Sequence, residues 1–189
     1  MIVAYIGNFQ PGLPAELQPA WSTETHISGS LELLGHTVVR IQEDRVSWKE
    51  REAMCDGADM LLWTQTLDYA RRWDQDDARD SLARIGKRIP RVGCHLDKWH
   101  GLDRAPHVYE EPFFQSTDFM FTADGDSDQA WRDANVRHFW MPPGVYGPEC
   151  VPGTPRTDWA SDVAFIGSWS RYTHQEWWPH RQQMLNYAK

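Results

Sequence analysis

Six short apolar runs recur along the first 141 residues, each closed by a turn signal and separated from the next by helical spacing or a polar loop. They are Ile2–Ile6, Thr37–Ile41, Met60–Thr64, Arg91–Leu96, Phe119–Thr122 and His138–Met141. A strand that is apolar on both faces has no side to show to water, and parallel neighbours must be joined by long crossovers, usually helices. The pattern therefore predicts an α/β fold. Right-handed crossovers make it a doubly wound, mostly parallel six-stranded sheet with helices on both faces. Ligands of such sheets bind at the carboxyl ends of the strands. In this chain that edge carries Gly7-Asn8-Phe9, Glu43-Asp44, Thr64-Gln65, His95-Leu96-Asp97 and Ala123-Asp124-Gly125.

The helices have their own signals. Ser22 is a good N-cap, with Glu24 in the first turn where the helix dipole favours an acid, and Ile27, Leu31 and Leu34 form the apolar face before Gly35. Ser47-Trp48-Lys49-Glu50 reads as a capping box. Ala78, Leu82 and Ile85 line one face of a helix that stops at Gly86, and Ser127 can cap a helix running through Trp131 and Ala134. Residues 1–143 are thus one domain. Residues 144–161 are rich in Pro and Gly, lack periodicity and read as a linker. Residues 162–189 open with Asp162–Ile166 and a helical stretch from about Glu176. They read as the first βα unit of a second domain, packed on the first domain or on a partner.

Composition narrows the class. The formal charge is −8, from 19 basic and 27 acidic residues, which argues against a broad nucleic-acid footprint. The three cysteines form no CxxC and suit a reducing compartment. No stretch approaches the roughly 20 apolar residues of a membrane span, and the start lacks the basic region of a signal peptide. The expectation is a cytosolic protein. Tryptophan is the outlier: 11 copies where about two or three are usual. Trp63 and Trp140 fall in strands and are expected in the core. Trp21 and Trp99 fall at the cleft edge, and Trp159, Trp169, Trp177 and Trp178 crowd the end of the chain, where a partner surface is expected.

Several motifs admit two readings. Gly7-Asn8-Phe9-Gln10-Pro11-Gly12 lacks the Lys-Ser/Thr of a Walker loop, and no GxGxxG follows any strand. The segment is either a plain connection or a backbone surface for a sugar or phosphate at the first helix N-terminus. Glu24 and His26 either serve the helix start or face the cleft as base or hydrogen-bonding partner. His95, Asp97 and His100 fit no strong zinc pattern, and no metal site is expected. His95 at a strand end suits a hydrogen bond to a ligand hydroxyl or phosphate, or a structural role with Asp97 capping a turn. Asp124-Gly125-Asp126-Ser127 is a turn and helix cap rather than a calcium loop.

The stretches WSTETHISGSLELLGHTVVRIQED, VGCHLDKW, EEPFFQSTDFMFTADG, HFWMPPGV and DVAFIGSW, in that order, resemble the N-terminal half of GT-B-type glycosyltransferases, especially the phage-encoded and spore-maturation-like group. The resemblance spans nearly the whole chain. It implies a Rossmann-like N-terminal domain that receives the acceptor, facing a second domain that binds a nucleotide-sugar donor. It implies that Gly7, Asn8, Phe9 and Gly12 border the cleft and hold the cofactor-like donor. It further implies that His95 touches the sugar near the reacting carbon, that Asp97 neighbours it and helps Glu24 orient the reactants, and that no metal or permanently bound cofactor is needed. Transfer requires a positioned donor and a stabilised leaving diphosphate. The chain by itself is therefore expected to be inactive, with a donor-domain protein, a second copy or a host protein meeting its terminal aromatic segment in the cytoplasm of a bacterial host cell. The alternative expectation is a non-catalytic interaction protein built on the same shortened fold.

Overall fold

A computed structural model describes residues 1–9, 22–65, 75–101, 105–142, 144, 146–150 and 154. The chain divides into two compact units, Met1–Gly147 and Pro148–Lys189. The strand and helix expected over 162–189 lie outside the described residues, as do Trp159, Trp169, Trp177, Trp178, Trp21 and Gly12.

The first unit holds six strands: β1 (Ile2–Gly7), β2 (Thr37–Gln42), β3 (Met60–Trp63), β4 (Arg91–His95), β5 (Phe119–Thr122) and β6 (His138–Trp140). They form one sheet in the order β2-β1-β3-β4-β5-β6. Every pairing is parallel, with Ala4 opposite Val39 on one side and Leu61 on the other. The fold is therefore the expected doubly wound α/β sheet, all-parallel rather than mostly so. The helices are α1 (Thr23–Leu33), α2 (Trp48–Met54), α3 (Gln75–Gly86), α4 (His107–Glu110), α5 (Pro112–Gln115) and α6 (Asp128–Asp133).

Alternation along the strands sorts the core into two layers. Ala4, Ile6, Ile41, Leu61, Trp63 and Met120 point to the face covered by α2 through α6, where they meet Trp48, Leu82, Ile85, Phe113, Phe114 and Trp131. Val3, Tyr5, Leu62 and Cys94 point to the other face, where Ile27 and Leu31 of α1 cover them. Right-handed crossovers explain the imbalance. The chain steps from β1 to β2 in one direction and thereafter in the other, so α1 alone lands on its face. No helix among the described residues is long and apolar enough to cross a membrane.

Local chemistry fixes the helix starts. The Ser22 hydroxyl accepts the Thr25 N–H at 3.1 Å, and Ser47 and Glu50 form the full capping box. Three expectations need correction. Ser127 stands at the N-cap of α6 but its hydroxyl makes no cap bond, donating instead to Asp126 Oδ1 at 3.3 Å. Leu34 is 73% exposed because α1 ends at Leu33 and its apolar face stops with Leu31. Trp140 is 60% exposed rather than core. It ends a three-residue edge strand and lies over Gly125, where a Cβ would stand 2.8 Å from the indole nitrogen.

Candidate functional site

Because β2 and β3 flank β1, the crossover direction reverses between β1 and β3, and the crevice beyond the carboxyl ends of these strands is where doubly wound sheets bind ligands. A cleft of about 180 Å³ opens there. Its polar wall comes from three sources: Thr23 and Glu24 from the first turn of α1, Thr64 and Gln65 from the end of β3, and His95 and Asp97 from the end of β4. Pockets for drug-sized ligands run to roughly 300–1,000 Å³. A cleft this small takes one ring-sized group rather than a whole nucleotide. The groove between α2 and α3 is larger, about 670 Å³, but it is an open trough between helices. Four of its six charged residues are spent on each other in the Arg84–Glu52 and Arg88–Asp56 pairs, so it is the weaker candidate.

Glu24 reaches the cleft because position 7 is glycine. A Cβ there would stand 2.8 Å from both Glu24 Cγ and Thr64 Oγ1, so any side chain would drive the two walls apart. Glu24 is buried, although it belongs to the first turn of a helix. Beneath it the Tyr5 hydroxyl shares a hydrogen bond with Thr64 Oγ1 at 3.2 Å. Burial holds the Tyr5 phenol far above its ordinary range, and the neighbouring Glu24 charge adds to this. Burial, with Glu24 again adding to it, also pushes the Cys94 thiol up to about 11. Cys94 therefore stays a neutral thiol and is no nucleophile at neutral pH.

His95 presses edge-on against Trp99, ring centroids 5.1 Å apart, on the opposite side of the strand from Cys94. Its Nδ1 accepts the Asp97 N–H at 3.2 Å. In the neutral imidazole that acceptor role leaves the proton on Nε2. The Asp97 carboxylate lies 3.9 Å from the same Nδ1 and is largely exposed. The backbone of Asp97 therefore sets the His95 tautomer.

Glu24, His95 and Asp97 thus meet on one cleft. The other expected residues that the structure describes do not line it. Gly7 lies under Glu24 and Thr64. Asn8 and Phe9 turn toward β2: Gln42 Oε1 accepts the Phe9 N–H at 2.8 Å, and Gln42 Nε2 donates to Asn8 Oδ1 at 3.1 Å. The Phe9 amide is therefore already committed, which removes it from a phosphate-cradling backbone surface. His26 stacks on Tyr146, centroids 4.6 Å apart, and does not line the cleft. Trp99, expected at the cleft edge, is buried, and His100 is buried edge-on against Trp131. Among the described residues, no group of three or more His, Cys, Asp or Glu is placed to hold a metal ion.

Asp124 carries the scaffold behind the site. It is fully buried, and its two carboxylate oxygens accept the Trp99 N–H at 2.8 and 3.1 Å. Oδ2 also accepts the Thr122 hydroxyl at 3.2 Å. That hydroxyl has one proton, so the 2.9 Å contact with His138 Nε2 makes His138 the donor and leaves its Nδ1 bare. Nδ1 is buried without a partner. The ring stacks on Trp131 at 4.5 Å.

Burial lowers the pKa of both His100 and His138, although Asp124 opposes the shift in each case. The unfolded residues titrate near ~6.5. Below that value the unfolded chain takes up protons the folded one refuses, so stability is full above pH ~6.5 and falls as pH drops through the lowered folded values. The urea midpoint is expected to fall between pH 7.5 and 5, and His138→Asn should shrink the fall. A midpoint flat across that range would show that neither ring is held neutral.

Gln65 and Thr64 line the cleft without belonging to any motif, although both stand on the edge the strand pattern marks out. Strand ends carry no motif, so the only signal for them is topological. No family model matches this chain, and no curated protein matches it. Its function must be read from the cleft itself.

Proposed function

We propose that this chain is the acceptor-side module of a GT-B-like glycosyltransferase. It holds a hydroxyl acceptor at the carboxyl edge of its sheet, while a donor domain presents a nucleotide sugar as substrate. One observation supports the reading above the others: Glu24 from the first turn of α1 and His95 and Asp97 from the end of β4 converge on a cleft of ring size at the reversal between β1 and β3. Glu24 would take the hydroxyl proton and His95 would hydrogen-bond the sugar or acceptor, with Asp97 orienting the imidazole. The free thiols Cys55, Cys94 and Cys150 and the use of a nucleotide sugar both suit the cytoplasm.

The test is transfer. The chain, alone and mixed with the product of the reading frame beside its own, is given labelled nucleotide sugars and a panel of hydroxyl acceptors. Label is expected to reach an acceptor in the mixture, and Glu24→Gln to cut the rate by about 10²–10⁴-fold. No transfer under any combination would end this reading.

That outcome would favour the second reading, a non-catalytic binding protein. Its support is an aromatic surface on the α1 side of β5 and β6. There Phe121 stacks on Phe139 at 5.4 Å, Phe139 is 41% exposed, and Arg137 sits over Phe119. Isolated sheet faces of this kind are commonly covered by a partner.

A further inference from the structure

The turn that carries His95 and Asp97 is laced to the turn after β5. In the sheet His95 stands opposite Thr122. Two residues beyond Thr122, the Asp124 carboxylate takes the Trp99 N–H on both its oxygens, at 2.8 and 3.1 Å. Between these points the Lys98 ammonium lies 3.3 Å from Asp126, but that pair is exposed and contributes little. Asp124 is fully buried, so its charge-assisted bonds are the strong ones. Leu96, Asp97 and Lys98 therefore bridge two fixed points, His95 and Trp99.

So short a bridge leaves its backbone few conformations. The one it adopts puts the Asp97 N–H 3.2 Å from His95 Nδ1 and the Trp99 ring edge-on against the imidazole, centroids 5.1 Å apart. The N–H keeps Nδ1 unprotonated in the neutral ring, and the indole restricts its rotation. Both contacts depend on where residues 97 to 99 lie, and Asp124 holds Trp99 there. Asp124 itself does not line the cleft. Its direction is set by Thr122, whose hydroxyl donates to Oδ2 at 3.2 Å and accepts the Asp124 N–H at 3.1 Å. Asparagine cannot reproduce this. It has one acceptor oxygen, so in either orientation its NH₂ faces the Trp99 N–H or the Thr122 hydroxyl, donor against donor.

We propose that Asp124 is a positioning residue for His95: by clamping Trp99 it fixes the turn that holds the imidazole in one tautomer and one orientation at the cleft. The inference rests on the reading of His95 as the group that meets the sugar or acceptor, and extends that reading to a residue that never touches either. A site group is useful only when its own rotamer is locked by what stands behind it, and Asp124 supplies that support from a neighbouring strand end.

The experiment uses the whole chain, labelled with ¹⁵N, and reads His95 directly. Long-range ¹H–¹⁵N correlations show which ring nitrogen carries the proton, and His95→Gln identifies the signal. The neutral ring of the parent chain is expected to carry its proton on Nε2 alone and to show NOEs to the Trp99 indole. Asp124→Asn is expected to bring in a measurable share of the Nδ1–H form and to weaken those NOEs. Thr122→Val keeps the carboxylate but removes the hydroxyl that steadies Oδ2. It should move both readouts the same way by less, and it decides the matter if Asp124→Asn does not fold. Ile85→Val loosens the buried face of α3, which belongs to neither turn, and is expected to leave the His95 signals as in the parent. His95 signals unchanged by the folded Asp124 and Thr122 variants would overturn the proposal. So would signals altered as much by Ile85→Val, since Asp124 would then serve the fold alone. In the transfer assay Asp124→Asn should lower kcat about 10- to 100-fold with little change in KM. The two claims fail separately. A His95 that loses its single tautomer in Asp124→Asn, in a chain that never supports transfer, keeps this inference and ends the transferase reading. Transfer undiminished by Asp124→Asn, with His95 unaltered, does the reverse.

Discussion

Replacing Asp124 with alanine is expected to cost about 2–5 kcal/mol of stability, a large share of the ~5–15 kcal/mol that holds a domain of this size together. The carboxylate is fully buried and accepts both the Trp99 N–H and the Thr122 hydroxyl. Alanine leaves both donors sealed without an acceptor, and each such orphan costs about 1–3 kcal/mol. Asp124→Asn keeps one acceptor oxygen and should fall between the two. Urea denaturation measures the loss. Amide exchange at Trp99 locates it, because this N–H lies only four residues beyond His95 and ties the loop after β4 to the end of β5. A loss below about 1 kcal/mol, or a Trp99 amide as protected as in the parent chain, would show that the loop holds itself.

Trp63→Ala is expected to cost about 3–5 kcal/mol, as removal of large buried aromatics does. Trp63 is 2% exposed and meets Trp48 and Phe113 edge-on, with ring centroids 5.1 and 4.9 Å away. It ties α2 and α5 to the sheet through one side chain. Its indole N–H also donates to the buried Glu43 carboxylate at 3.2 Å, so the loss combines a cavity with a weakened buried polar contact. Trp63→Phe restores most of the volume but not the donor, and should lie nearer ~1–3 kcal/mol. Equal midpoints for Trp63→Ala and the parent chain would contradict the packing described above.

What could be read in advance follows from the range of the forces involved. The inner strands β1 and β3 were legible because burial on both faces calls for apolar residues, and α1 and α2 because Ser22 and Ser47 make their cap bonds within three residues. The pair α4 and α5 was not legible. Each spans four residues, and Glu111 between them is extended, as the residue before a proline tends to be. No periodicity can build up over that length, so Phe113 and Phe114 enter the core without announcing it. Trp140 was misread because its residue type says strand while its position says edge, and edge position depends on topology. In the site, Glu24, His95 and Asp97 could be singled out by chemistry and strand position. Gln65 and Asp124 were marked only by their place on the carboxyl edge: the burial of Gln65, and the hold of Asp124 on a backbone amide 25 residues away, appear only once the chain is folded.

The strand order has a last consequence for how the cleft keeps its form. β1 is paired on both sides, and Val3, Ala4, Tyr5 and Ile6 have no exposed surface, so its amides can exchange with solvent only when the whole sheet comes apart. β6, paired on one side over three residues, can fray without that. The floor of the cleft therefore belongs to the last part of the domain to open, and the aromatic edge to the first. A ligand entering that cleft would meet a floor already in place, with little of it left to order on arrival.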